Sequence, residues 1–284
     1  MPNDQWITDM GGPGFAHIYQ VDRVLHDGQS QYQRVRVIAN SDFGRMLILD
    51  EAVQTTERDD FIYHELLAHV PLFAHPAPRR ALIIGGGDGG LLREALRHPG
   101  IEHVTMVELD REVVDVTLRL IPSIPRGAFD DPRARLLIED GVAFARETNE
   151  SFDVAMVDST DPKGPSLGLF STEFYGDMAR LLGPSGTLAV QSGSPLYQQG
   201  VIAMVRRNMS PHFKYVRLYM GAVPTYPGVL WTFTVGAQHR DPATLEAAEI
   251  ARRLGDLPTQ YYTPRAHTHL FDVPPFLRHV LGIE

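Results

Sequence analysis

The chain has 284 residues, 43% of them hydrophobic and 21% charged, an ordinary balance for a globular enzyme with room for a main domain and a smaller satellite. Its formal charge of −9 argues against a nucleic-acid partner, whose phosphates need a basic surface, and suits a cationic small molecule better. The absence of cysteine excludes disulfides, thiolate catalysis and cysteine-held zinc, and with no leader pattern and no apolar stretch near the about 20 residues that span a bilayer, the expected location is cytoplasmic, with no membrane partner.

From Trp6 to about Glu57, short alternating runs such as Tyr32-Gln33-Arg34-Val35-Arg36-Val37-Ile38 are punctuated by Asp27-Gly28 and by Asn40-Ser41-Asp42-Phe43-Gly44. This pattern predicts antiparallel hairpins and a small N-terminal β-domain over residues 1–58. Helical spacing over 61–73 predicts a helix capped by Asp59 or Asp60, with Pro71 near its end. The run Glu57-Arg58-Asp59-Asp60 is most simply an exposed charge cluster.

From Arg80 onward, apolar strands over 104–108, 135–139, 152–158, 187–191 and 215–220 alternate with helices starting near 111, 142, 172 and 196. Residues 59–284 therefore read as an α/β domain, a parallel sheet with helices on both faces. The late strand 230–236 is expected to pair antiparallel at its edge. The turn-rich stretch 127–132 and the tail after Arg240 read as solvent-facing connections and a terminal helix.

Residues 81–108, ALIIGGGDGGLLREALRHPGIEHVTMVE, form the most informative unit: strand, glycine turn, helix, strand. Glycines at such a turn bring backbone close to a ligand at the helix N-terminus, and an acid ending the next strand, Glu108, can accept two hydrogen bonds from a ribose. Ligands of open α/β sheets lie beyond the carboxyl ends of the strands. Here four strands lead into acids at that rim: Asp88, Glu108, Asp140-Gly141, and Asp158-Ser159-Thr160-Asp161-Pro162. A carboxylate inside the glycine turn would repel a phosphate, so Asp88 speaks for a cation, and the rim as a whole should attract an amine. On residue type alone, Tyr63 and His64 read as packed or surface helix residues, Gln54 as a strand glutamine and Tyr226 as a turn tyrosine.

The chain closely resembles the bacterial spermidine synthases, the polyamine aminopropyltransferases, from about Trp6 to Val273-Pro274-Pro275-Phe276-Leu277. The segments that carry the resemblance are Phe43-Gly44-Arg45, residues 49–59 (LDEAVQTTERD), Tyr63-His64-Glu65, residues 85–90 (GGGDGG), Asp158-Ser159-Thr160-Asp161-Pro162 and Pro224-Thr225-Tyr226-Pro227. The resemblance implies a class I methyltransferase-like Rossmann domain as the catalytic unit, behind the N-terminal β-domain. It implies an enzyme without a prosthetic group or metal, moving the aminopropyl group of the co-substrate decarboxylated S-adenosylmethionine to putrescine, with spermidine and 5′-methylthioadenosine as products. It further implies that Glu108 holds the ribose, Asp140 with Gly141 the adenine amino group, and Gln33, Gly85, Gly87 and Pro165 other parts of the donor. Asp88 would anchor the aminopropyl ammonium. Asp158 would be the catalytic base, helped by Tyr63, while Asp161, Tyr63, His64, Gln54 and Tyr226 would line the polyamine channel. A homodimer or homotetramer, assembled through the β-domain, is implied as well.

Two departures bear on the acceptor. The family usually places Trp-x-Glu near the N-terminus, where this chain has Trp6-Ile7-Thr8 followed by Asp9, so a carboxylate at the far end of the polyamine is expected to be missing. After the catalytic aspartate, Gly164-Pro165-Ser166-Leu167-Gly168-Leu169-Phe170 replaces the usual Gly-Pro-Ala/Gly-Glu and is expected to form a lid. Other acceptors (cadaverine, agmatine, spermidine) and polyamine N-methylation remain open alternatives. Intact S-adenosylmethionine carries a carboxylate that Asp88 should disfavour, which favours aminopropyl transfer.

Overall fold

Residues 6–282 are described by the computed structural model. Strands β1 (Trp6–Gly12) and β2 (Phe15–Gln20) pair antiparallel as a ribbon. Strands β3 (Arg23–Gln29), β4 (Arg34–Asn40), β5 (Gly44–Leu49) and β6 (Ala52–Thr56) form an antiparallel sheet in sequence order. The β4–β5 hairpin closes as its residues dictate: the Asn40 side-chain oxygen accepts the Asp42 and Phe43 amides, and Gly44 takes φ 74°. Alternation buries both faces. Ile38, Met46 and Ile48 pack under Ile7 and Tyr19 of the ribbon, while Val35, Val37 and Leu47 pack on a helix of the α/β domain.

Helix α1 (Asp60–Ala74) leads into β7 (Arg80–Gly85), α2 (Gly90–Leu96), β8 (His103–Glu108), α3 (Arg111–Leu120), β9 (Ala134–Ile138), α4 (Gly141–Glu147) and β10 (Val154–Asp158). Then come α5 (Thr172–Leu182), β11 (Thr187–Gly193), α6 (Gln199–Met209), β12 (Tyr215–Ala222) and β13 (Leu230–Ala237). The helix receiving Val35, Val37 and Leu47 is α3, through Val113 and Val116. The large sheet has the order β12-β13-β11-β10-β7-β8-β9, parallel from β11 to β9. Its central strands read as unbroken apolar runs because both faces are covered. Ala81, Ile83, Met106 and Met156 face the layer of α1 and α2, whereas Leu82, Ile84, Val107 and Val157 face the layer of α5 and α6.

Three expectations need correction. Strand β13 is antiparallel but not at the edge: it lies between β11 and β12, and residues 231–237 are all buried. An uncharged strand tolerates that position, and the edge goes to β12, whose Arg217 reaches out to Asp241 at 2.5 Å. The tail is not a solvent-facing connection with one helix; it forms α7 (Ala247–Leu254), α8 (Pro264–Leu270) and α9 (Pro275–Leu281). It is bound to α1, because the Glu65 carboxylate accepts the amides of Gln260, Tyr261 and Tyr262, and Arg253 donates to the carbonyls of Leu72, Phe73 and His75. The stretch 127–132 also reaches inward, with Ala128 buried and Phe129 packed under the glycine turn.

The second half of the charge run before α1 is likewise not exposed: Arg58 faces solvent, whereas Asp59 and Asp60 are buried. Asp59 stands at the N-cap position but does not cap; its carboxylate accepts from Thr56 Oγ1 at 2.7 Å and from the Thr225 amide at 2.9 Å. Asp60 is buried against Arg93 at 2.8 Å. These two acids tie the start of α1 to the loop between β12 and β13 and to α2. No helix among the described residues is long and apolar enough to cross a membrane.

Candidate active site

A cavity of about 560 Å³ lies at the carboxyl ends of β7, β8 and β10, walled on its other sides by the β-domain and by the 3-10 segment Gly164–Phe170. The glycine turn forms its floor. Gly85 and Gly86 adopt φ of 81° and 76°, and the Gly86 amide donates to the Asp158 carbonyl at 3.0 Å. A Cβ on Gly85 would stand 2.0 Å from that carbonyl oxygen, so only glycine fits on both counts. Gly85→Ala is expected to cost about 3–5 kcal/mol of stability, with loss of activity; a denaturation midpoint equal to the parent's would contradict this packing.

Asp88 sits inside the turn, 8% exposed, its Oδ1 accepting the Gly90 amide at 2.8 Å. Behind it lies His64, with Nε2 at 3.3 Å from Asp88 and Nδ1 at 3.5 Å from Asp60. Burial alone would push the imidazole down, but Asp88 and Asp60 together pull it up to about 10. His64 is thus a protonated bridge between two carboxylates. It is not among the cavity-lining residues; its two ring nitrogens face the carboxylates of Asp60 and Asp88 directly behind the cavity wall.

Asp158, at the end of β10, accepts the Tyr63 hydroxyl at 2.8 Å. Burial first, and then the charge of Asp88, push its carboxyl up to about 6. Burial and Asp158 hold the Tyr63 phenol far above its usual range, so it keeps its proton. The Tyr63 ring meets Tyr226 edge-on at 5.6 Å, and the Tyr226 hydroxyl donates to the Gln54 carbonyl at 2.8 Å. The Gln54 side chain lines the cavity, with its amide donating to Ala52.

Glu108, at the end of β8, is buried beneath the cavity, and burial raises it to about 7 against the Asp110 amide that it accepts at 2.8 Å. Gly87 leaves it room: a Cβ there would approach its carboxylate to 3.0 Å. Gln33 reaches across from the β-domain and donates to Asp110 at 3.0 Å, beside Ser30, which donates to the same oxygen at 2.6 Å. Asp140 Oδ1 caps α4 through the Val142 and Ala143 amides, which fixes the carboxylate at the rim next to Gly141. Pro165 and Asp161 also line the cavity; burial raises Asp161, while Gln198 donates to it at 2.7 Å. The segment 164–170 does border the cavity, held by the Ser166 hydroxyl, which donates to the carbonyls of Asp161 and Lys163.

The structure adds residues that the sequence left unassigned. Asp110 and Ser30 join the two sheets at the cavity edge. Asp9 brings a carboxylate to the cavity from β1: it is buried, lines the cavity, accepts the Val53 amide at 2.9 Å and is raised by burial to about 6. Its position one residue beyond Thr8 is the signal that was available. Among the described residues the ligand atoms of His64, Asp88 and Asp158 lie within 4.8 Å of one another, buried or half-buried together behind the glycine turn.

A family model described as "Spermine/spermidine synthase domain" matches residues 60–246, and one described as "Spermidine synthase tetramerisation domain" matches residues 5–57. The chain is 42% identical to a polyamine aminopropyltransferase of Moorella thermoacetica, over 97% of this chain and 96% of that protein. It is 38% identical to one of Bacillus subtilis, over 97% and 98%. Among solved structures, a spermidine synthase in complex with the transition state analogue AdoDATO superposes with a TM-score of 0.94 at 35% identity, covering 99% of this chain and 97% of that one. The spermidine synthase of Thermotoga maritima superposes with a TM-score of 0.93 at 35% identity, covering 99% and 96%. With the acidic cavity at the sheet's carboxyl rim and matches over nearly its whole length, the chain belongs to the spermine/spermidine synthase family.

Proposed function

We propose that this cavity transfers the aminopropyl group of decarboxylated S-adenosylmethionine to putrescine, giving spermidine and 5′-methylthioadenosine. The observation that carries the reading is the Asp158–Tyr63 pair beside Asp88: a buried carboxyl raised to about 6, next to a phenol that stays protonated, in a cavity whose charged lining is acidic apart from Lys163. Such a carboxylate can take a proton from an ammonium near neutral pH. In this reading Glu108 holds the ribose hydroxyls and Asp140 with Gly141 the adenine amino group. Gly85 and Gly87 let the backbone approach the donor, Gln33 and Pro165 border it, and Asp88 anchors its ammonium. Asp161, Gln54, Tyr226 and Asp9 hold the acceptor, and His64 supports Asp88 from behind.

Asp158 removes the proton from the near amine of the acceptor, freeing the nitrogen lone pair. That nitrogen attacks the propyl carbon bonded to sulfur; a C–N bond forms, the C–S bond breaks, and its electron pair neutralises the sulfonium. Positioning by carboxylates that bracket the donor supplies much of the acceleration. Residues 1–58 act as the oligomerisation domain of a homodimer or homotetramer, residues 59–284 as the catalytic domain, and the enzyme works in the cytoplasm.

Incubation with putrescine and either the decarboxylated or the intact donor tests the proposal. Spermidine and 5′-methylthioadenosine should form with the decarboxylated donor only. Methylated amine without 5′-methylthioadenosine would overturn it.

A further inference from the structure

The cavity is lined by nine carboxylate side chains and, among the described residues, by one basic side chain, Lys163. Lys163 stands five residues after Asp158 and two after Asp161, at the cap position of the segment 164–170, its amide bonded to the Asp161 carbonyl at 2.6 Å. The residue is exposed at the mouth. Among the described residues its ammonium makes no direct ion pair, yet its charge lowers both Asp9 and Asp161, opposing the burial that raises them. It therefore sits where the far end of an acceptor would emerge.

We infer that Lys163 limits the acceptor to two charges. The inference rests on the proposed aminopropyl transfer to an amine. The distal ammonium of a diamine is matched by Asp161 and Asp9, inside the mouth. A longer triamine threads its third ammonium outward, toward the Lys163 ammonium. Two like charges a few ångströms apart at a half-solvated rim repel by an amount worth about tenfold in affinity. The flexible stem lets the ammonium follow the intruding charge, so a triamine does not escape it by a small change of path.

The test compares kcat/KM for putrescine and for spermidine as acceptors in the parent enzyme, Lys163→Met and Lys163→Arg, at low and high salt. Triamine use is read as turnover or as competitive inhibition. Lys163→Met should raise the triamine-to-diamine ratio about tenfold, and Lys163→Arg should keep the parent ratio. The difference should shrink at high salt, as a screened rim charge requires. An unchanged ratio in Lys163→Met would overturn the inference while diamine turnover persists. Failure of the parent enzyme to use putrescine at all would instead overturn the acceptor reading, and the inference with it.

Discussion

Asp158→Asn should lower kcat by about a thousandfold, within the range found for a lost general base, while donor affinity changes only a few-fold. Asparagine keeps the shape of the side chain and can still accept the Tyr63 hydroxyl, so the fold and the nucleoside side of the cavity remain. What disappears is the site for the proton of the acceptor amine. Steady-state kinetics with direct measurement of donor binding checks this, and near-normal turnover would remove Asp158 from the mechanism.

The same substitution carries a stability signature of opposite sign. The Asp158 carboxyl lies near 6 in the folded chain against an ordinary value of 3.8, with burial as the main cause. The folded state therefore holds that proton more tightly than the unfolded one. Its contribution is fully present below pH 3.8 and is lost as pH rises through 6, leaving the empty enzyme with a buried, unneutralised charge at pH 8. Removing the charge should raise stability at pH 8 by about 3 kcal/mol at most and leave it nearly unchanged at acid pH. In the parent enzyme the same titration gives kcat/KM an acid limb near pH 6, with activity rising as the carboxylate forms.

Much of this was legible along the chain, for identifiable reasons. Strands covered on both faces must be apolar throughout, so β7, β8 and β10 announce themselves, and the acids that follow them mark the rim. Strand order is different: an apolar run says that β13 is buried, not that it lies between β11 and β12. Asp59 and Asp60 looked exposed because four charged residues in sequence usually are. Their partners Thr225 and Arg93 lie 166 and 33 residues away. The same distance in sequence hid the bond from Gln33 to Asp110 and the placing of Asp9, each of which exists only once the β-domain folds over the Rossmann sheet. Adjacent positions on a helix point about 100° apart, so Tyr63 faces Asp158 while His64 turns toward Asp60 and Asp88, a division of roles that the motif Tyr63-His64-Glu65 alone does not display.

Asp88→Asn should lower kcat/KM for the decarboxylated donor by about a hundredfold, because truncating one partner of a buried charge pair strands the other. Asparagine can still accept the Gly90 amide, so the turn is retained, but the donor ammonium loses its counterion and His64 loses one of its two. The intact donor differs by a carboxylate that Asp88 repels, so its relative affinity should rise, narrowing the discrimination between the two donors. Calorimetric titration with each measures that ratio; if the intact donor stays equally excluded, the exclusion is steric and Asp88 does not set it. A second readout separates charge from shape. Asp88 is one cause of the raised Asp158 carboxyl, so its neutralisation should move the acid limb of kcat/KM to lower pH. In the proposed mechanism a glycine turn that elsewhere would cradle a phosphate is thereby set for a cation, and the same carboxylate would both select the donor and tune the base that activates the acceptor.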